Sequence, residues 1–246
     1  MLYLFNNCFF NTIDTTVRYD DDGSVFVITG DIPAMWLRDS AAQVMQYLFF
    51  LDDPEVKYLI KGVIKKQLTQ IIHDPYANAF MHDNSTISEW KYNVTSDSMQ
   101  DDIWERKFEL DSLCYPLFLM TKYFEKTKDY SIFDSLFLKA FDTVIDTVNK
   151  ERSHSKKSSY FFHFERSDMT FTVGKDTNPL EEKGLVWSGF RPSDDTCKYH
   201  YHIPDNMFLV SVLNKLTNIF DIIKDADRKE ICIKLIQELR SLIERY

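Results

Sequence analysis

Two short stretches combine residue types that seldom share a neighbourhood: AMWLRDS at residues 34–40 and WSGFRPSDD at residues 187–195. Each sets Trp, Arg and Asp together, a mixture that is expensive to place near an apolar core. The mixture has a chemical use. An indole covers the apolar face of a pyranose, while a guanidinium and a carboxylate hold vicinal hydroxyls through directed, charge-assisted hydrogen bonds. Trp36, Arg38 and Asp39 in the first stretch, and Trp187, Arg191, Asp194 and Asp195 in the second, are therefore candidates for sugar chemistry. Adjacent carboxyls such as Asp194 and Asp195 also supply an acid whose pKa is raised by its neighbour's charge. A plainer reading makes Arg38–Asp39 a helix-start ion pair with Asp39 as N-cap and Trp36 in the core. Ser193 with its two acids would likewise be an N-cap with dipole-favoured charges. Geometry separates the two readings.

Other chemistry-bearing residues are less concentrated. Asp101, Asp102 and Asp111 read as helix-start acids, and Glu89 beside Trp90 lines a cleft or faces solvent. His200 and His202 would share one face of a strand, but no third ligand stands near them in sequence, so no metal site is predicted. A G-x-S-x-G elbow, a P-loop and a G-x-G-x-x-G turn are all lacking, so a Ser-His-Asp hydrolase is poorly supported and neither nucleotide motif is present. Nothing in the sequence asks for a cofactor. The cysteines Cys8, Cys114, Cys197 and Cys232 are far apart and form no CxxC, which fits reduced, mostly buried thiols.

The elements that must position these residues are mainly helical. VRYDDDGSVFVIT, residues 17–29, sets Asp-Asp-Asp-Gly between two β-branched and aromatic runs and predicts a hairpin. From Ser40 apolar residues recur at helical spacing, with Asp39 or Ser40 as the expected cap. Further helices are predicted at 55–73, 110–127 (with Pro116 tolerated only in the first turn), about 130–150, 205–223 and 226–245. Residues 74–97 read as a long polar connection carrying Glu89, Trp90 and Tyr92, and residues 160–173 as an extended aromatic segment followed by a second polar loop. Helices paired by alternating long and short connections suggest hairpins arranged around a centre.

Composition narrows the partners. The formal charge of −9 and the lack of any basic cluster beyond RSHSKKSS at 152–159 argue against nucleic acid. With 44% hydrophobic residues the chain can bury a sizeable core, and with only 6 Gly a turn-dense β architecture is disfavoured. No segment is apolar enough to span a membrane, and the first residues lack a basic region and a cleavage signal, which leaves the cytoplasm as the default location. The N-x-S/T patterns at Asn84 and Asn93 are short enough to arise by chance and matter only in a secreted protein.

NCFFNTIDTTV, GDIPAMWLRDSAAQV, FELDSLCYPL and GLVWSGFRPSDD, in this order, resemble glycoside hydrolase family 125, the metal-independent exo-α-1,6-mannosidases. The resemblance implies an all-α (α/α)6 barrel with a small β-hairpin element, and inverting hydrolysis of terminal α-1,6-linked mannose from oligosaccharides. It implies that Asp194 or Asp195 is the general acid, with Trp36, Arg38, Asp39, Arg191 and Trp187 available to hold the mannose. The family's general base is a Glu in a C-terminal part, so the resemblance places it beyond Tyr246 and makes residues 1–246 a single partial catalytic domain with an incomplete barrel. Helices in such an open frame expose faces meant for neighbours, which predicts association through apolar surface. A truncated, inactive mannose-binding relative that lacks the base is the alternative. A helical interaction protein, with Trp36 far from Asp195, is the third reading.

Overall fold

The structure, a computed structural model, describes residues 2–83, 87–90, 94–95, 99–165, 170–174 and 184–245. The patterns at Asn84 and Asn93, Tyr92 and most of the loop after residue 174 lie outside the described residues. Among those described, eight α-helices form the frame: α1 Leu2–Thr16, α2 Leu37–Val44, α3 Pro54–His73, α4 Leu110–Thr127, α5 Ser135–Glu151, the short α6 His154–Lys157, α7 Ile203–Ile222 and α8 Ala226–Ile243. Three small antiparallel sheets decorate it. β1 (Val17–Tyr19) pairs with β2 (Val25–Val27); β3 (Ala34–Trp36), β4 (Ala79–Met81) and β6 (Ile103–Glu105) lie in that order; β5 (Val94–Thr95), β7 (Phe161–Glu165) and β8 (Thr170–Gly174) form the third.

The helical periodicities place α3, α4, α7 and α8 close to their predicted bounds, and the hairpin falls in 17–29. α5 begins only at Ser135, because Asp134 accepts a hydrogen bond from the Phe137 amide at 3.0 Å and caps it after a 3-10 turn at Tyr130–Ile132. Helix α1 and the sheet β3-β4-β6 have no counterpart in the sequence reading, which took 74–97 as connection. Their strands are three residues each, too short to show an alternation.

Two expectations are corrected. The first concerns the cap of α2: the helix begins at Leu37, ahead of both Asp39 and Ser40, and its N-cap, Trp36, offers no side-chain bond. The neighbouring strand replaces the cap, since the Leu37 amide donates to the Asn78 carbonyl at 3.0 Å and one of the helix's open donors is satisfied by sheet edge. The second concerns Pro116, which lies inside α4 beyond the first turn. Its missing N–H leaves the Ser112 carbonyl without the usual helical donor, a loss offset by the burial of α4 on almost every side.

The core runs between α3, α4, α5, α7 and α8, with Leu113, Leu117, Met120, Phe137, Phe141, Leu213 and Phe220 buried. Each such side chain contributes about 1.5–3 kcal/mol by leaving water. β2 packs directly on α3 because Gly62 has no Cβ there: one would collide with Val25 Cγ2. α4 is the central element of the frame, with α2 packed on it and α7 against it. By contrast, Leu2, Tyr3, Leu4, Phe5 and Phe10 of α1, with Phe49 and Phe50, stand exposed. No helix among the described residues is long and apolar enough to cross a membrane.

Candidate active site at the mouths of α2, α4 and α7

Arg38 is the hub. It sits in the first turn of α2, directly after β3, where sheet pairing with β4 fixes the direction in which the helix leaves. From there Nη1 donates to Glu109 Oε2 at 2.9 Å and to Asp111 Oδ2 at 3.1 Å. The same guanidinium lies 3.6 Å from Asp39 Oδ2 through Nε and 3.8 Å from Asp194 Oδ1 through Nη2. Those last two distances exceed a hydrogen bond, so these nitrogens face carboxylates without being saturated by them.

Four carboxyls thus surround one cation, and burial sharpens the imbalance. The side chains of Glu109 and Asp111 are 0% and 2% exposed, and that of Arg38 13%. Burial pushes the Glu109 carboxyl well above its ordinary range, against the pull of Arg38, and the charges of Asp111 and Asp194 add to the rise. Asp111 and Asp39 are raised by burial too, again opposed by Arg38. On Arg38 burial acts to lower the pKa, yet Glu109 and Asp111 outweigh it and hold the proton. Asp39 Oδ2, Glu109 Oε1 and Asp111 Oδ1 are buried with no hydrogen-bond partner. A buried acceptor without a donor costs about 1–3 kcal/mol. Three around one guanidinium form a socket for hydroxyl donors.

The second stretch reaches the hub through the chain segment before α4. Gly189 and Phe190 amides donate to the Phe108 carbonyl at 3.1 Å, and Ser188 Oγ accepts from the Leu110 amide at 3.3 Å. The chain then folds back on itself: the Arg191 amide donates to the Asp195 carbonyl, the Asp194 amide to the Arg191 carbonyl, and Phe190 bridges Thr196. Asp194 occupies the turn with φ of 64°, a left-handed conformation uncommon for a residue with a Cβ, and this aims its carboxyl at Arg38. Asp195 goes elsewhere. Its carboxylate accepts from Arg191 and Ser193, and these hydrogen bonds hold it below the ordinary carboxylate range on an exposed surface.

The two tryptophans differ from the sequence picture in their surroundings. Trp36 is 8% exposed and packs with Ala34, Ala79, Met81 and Trp104. Trp187 is stacked on His154 at 3.8 Å between centroids and on His200 at 5.0 Å, which covers the ring. Arg38, Asp39 and Asp194 are therefore brought together, while Trp187, Arg191 and Asp195 are turned to packing or to solvent.

Sequence reasoning passed over Glu109, and it read Asp111 only as a helix-start acid. Nothing in the local pattern marked it: Glu105, Lys107 and Glu109 are buried along the run before α4, but so are Trp104, Arg106 and Phe108 between them. Glu105 holds Lys107 Nζ at 2.6 Å and accepts from Asn78 at 2.7 Å, and Arg106 Nε donates to Asp74 Oδ2 at 2.6 Å. Tyr115 also lies close enough for its phenol to be raised by burial and by Asp111. His200 belongs to the Trp187 stack, and His202 Nδ1 lies 2.8 Å from Asp205 Oδ2. Among the described residues, no three His, Cys, Asp or Glu side chains are grouped so as to hold a metal ion. A cavity of about 380 Å³ lined by Tyr58, Lys61, Lys65, Leu68 and Leu136 shares no residue with the Arg38 cluster.

A helical frame with a guanidinium and surplus carboxyls gathered at its helix mouths has the make-up of a glycoside hydrolase, and its relatives say which kind. The chain belongs to the metal-independent α-mannosidases of glycoside hydrolase family 125, whose sequence profile matches residues 1–246. It is 34% identical over 264 residues to the meiotically up-regulated gene 157 protein of Schizosaccharomyces pombe, an alignment spanning 99% of this chain and 52% of that one. Among solved structures it matches, with a TM-score of 0.92 and 39% identity, a Streptococcus pneumoniae protein of a widely distributed family of metal-independent α-mannosidases whose analysis is described as giving insight into the processing of N-linked glycans, in a non-productive complex with α-1,6-mannobiose. That match covers 99% of this chain and 58% of the other. The chain spans about half the length of the curated relative it matches.

Proposed function

We propose that residues 1–246 are part of the catalytic domain of an exo-acting α-1,6-mannosidase, the whole closing as an (α/α)6 barrel, and that the Arg38 cluster holds the terminal mannose. The observation that carries this reading is the set of unpartnered buried oxygens on Asp39, Glu109 and Asp111 around one guanidinium, in a chain of this family. Sugar hydroxyls would donate to those oxygens and accept from the unsaturated Nε and Nη2 of Arg38. The mannobiose complex of the structural relative supports a mannose-containing oligosaccharide as the partner.

Asp194 is the general acid in this proposal, since its carboxyl borders the socket while Asp195 is kept ionised by Arg191 and Ser193. A carboxylate kept ionised by hydrogen bonds from Arg191 and Ser193 has no proton to give, whereas Asp194 stands 3.8 Å from Arg38, beyond hydrogen-bond distance. An inverting enzyme also needs a second carboxylate, set ~6.5–9.5 Å from the acid with a water between them. The resemblance to the family implies a Glu for that base.

The test is incubation of the chain, and of a longer in-frame polypeptide, with α-1,6-mannobiose while the first-formed anomer is followed by proton NMR. Release of β-mannose supports the reading. α-Mannose as the first product overturns inversion, and no release from either polypeptide overturns the activity.

A further inference from the structure

One buried residue outside the socket holds two of its walls. Asn78, fully buried just before β4, spends its polar atoms on two separate segments of chain. Its carbonyl accepts from the amide of Leu37, the residue before Arg38, at 3.0 Å, and its own amide donates to the Glu105 carbonyl at 3.2 Å. On the side chain, Nδ2 donates to Glu105 Oε2 at 2.7 Å and Oδ1 accepts from the Lys107 amide at 3.1 Å. Arg38 then meets Glu109, two residues beyond Lys107, at 2.9 Å. Asn78, the pair Leu37 and Arg38, and the run from Lys107 to Glu109 therefore close a ring in which every link is a covalent bond or a hydrogen bond. The knot extends to the third wall. Glu105 Oε1 is held by Lys107 Nζ at 2.6 Å, and that ammonium lies 4.2 Å from the ring centroid of Trp90 and 5.6 Å from that of Phe190, in the loop that carries Asp194.

We propose that Asn78 is a positioning residue that sets how Arg38 meets Glu109 and so keeps the socket open for sugar hydroxyls. This rests on the functional reading above for the ligand, but not for the clamp. A guanidinium and a carboxylate left to themselves settle into a two-pronged pair that uses both oxygens. Here Arg38 reaches Glu109 through Nη1 alone and shares that nitrogen with Asp111, while Glu109 Oε1 stays buried without a donor. The reach from the carbonyl oxygen to Oδ1 within one residue is short and fixed by its rotamer, so the mouth of α2 and the run into α4 cannot slide into the two-pronged geometry. The amide is the group this needs, because one end must accept from an N–H while the other donates to a carboxylate. An aspartate at the same place would set two carboxyls against each other across the bond to Glu105.

The experiment is nitrogen-15 NMR of the full chain labelled at arginine, with α-1,6-mannobiose affinity measured alongside by isothermal titration. The bonds from Nη1 to Glu109 and Asp111 hinder rotation of the guanidinium, so Arg38 should give separate Nη1 and Nη2 signals, assigned by their loss in Arg38→Lys. In Asn78→Ala these signals should shift or merge, and affinity should fall about 10- to 100-fold, the worth of one hydrogen bond to a charged group. Asn78→Asp should do the same. Asn78→Asp combined with Glu105→Gln should restore both readouts, because the swapped pair exchanges donor and acceptor across the same bond. Phe141→Leu, a core substitution on α5, should lower stability and change neither. A merely structural Asn78 predicts that Asn78→Ala behaves like Phe141→Leu, with stability lowered and the Arg38 signals and affinity unmoved, and that result overturns the proposal. So does a defect in Asn78→Asp that Glu105→Gln fails to correct. A wild-type chain that binds no mannobiose overturns the functional reading instead, and the Arg38 signals, recorded without sugar, then decide the clamp by themselves. The swapped pair provides the second variant if Asn78→Ala fails to fold.

Discussion

Arg38 and Arg191 each stand next to aspartates in a Trp-containing stretch, yet one is a buried hub and the other half of a surface pair. Arg38 leaves a sheet-anchored helix mouth and meets carboxyls from α4 and from the loop of Asp194. Arg191 and Asp195 are four residues apart in one loop, 46% and 50% exposed at their side chains, and they satisfy each other. The difference lies in where the partner comes from. Charges supplied by separate elements cannot be relaxed by a local shift of chain, so Arg38, Glu109 and Asp111 stay desolvated and unbalanced, while Asp194 joins them from the solvent side. Charges within one loop pair off and are finished. The tryptophans follow the same division: Trp187 is a packing residue of the loop's base, covered by His154 and His200.

Breaking the hub should cost most. Arg38→Met leaves Glu109 and Asp111 buried without their cation, and the expected loss is about 3–5 kcal/mol in denaturant unfolding, as for other buried pairs deprived of one partner. Next comes the acid. Asp194→Asn should lower kcat of the active enzyme by about 100- to 10,000-fold with mannobiose affinity retained, whereas Asp195→Asn should leave kcat nearly unchanged. Equal losses in both variants would erase the distinction drawn between the two aspartates.

A smaller effect sharpens the contrast through pH. Asp205 has its folded pKa raised from 3.8 to about 6, so its contribution to stability is fully present below the unfolded value and is lost as pH rises through the folded one. Relative to Asp205→Asn, the wild type should lose up to about 3 kcal/mol of unfolding free energy between pH 4 and 7. A parallel pair of stability curves would contradict the burial argument. The surface pair sets the floor: Arg191→Ala should leave Tm unchanged, since Asp195 then turns to water.

How far the sequence carries can be read from particular residues. α3, α8 and α5 show in their apolar spacing, and the hairpin in its Asp-Asp-Asp-Gly turn, because each is a local pattern with a local cause. The pairing of Arg38 and Asp39 with the Asp194 loop followed from residue chemistry and from the ordered family motifs. Glu109 was not legible, because what makes it part of the site is a helix mouth 71 residues from Arg38 in the chain. Nor was the choice between Asp194 and Asp195, which rests on one left-handed residue in a turn. The start of α2 was misread for a related reason: the carbonyl of Asn78, just before β4, took the role that local rules assign to a side-chain cap.

The central claim is that the Arg38 cluster, and not the Arg191 pair, receives mannose. It is tested most directly by isothermal titration of α-1,6-mannobiose into the wild-type chain, Arg38→Lys and Arg191→Met, each first checked for folding by circular dichroism. Lysine keeps the charge between Glu109 and Asp111 but loses the forked donors, so the account predicts binding to the wild type and to Arg191→Met and its loss in Arg38→Lys. Binding retained in Arg38→Lys and abolished in Arg191→Met would contradict it.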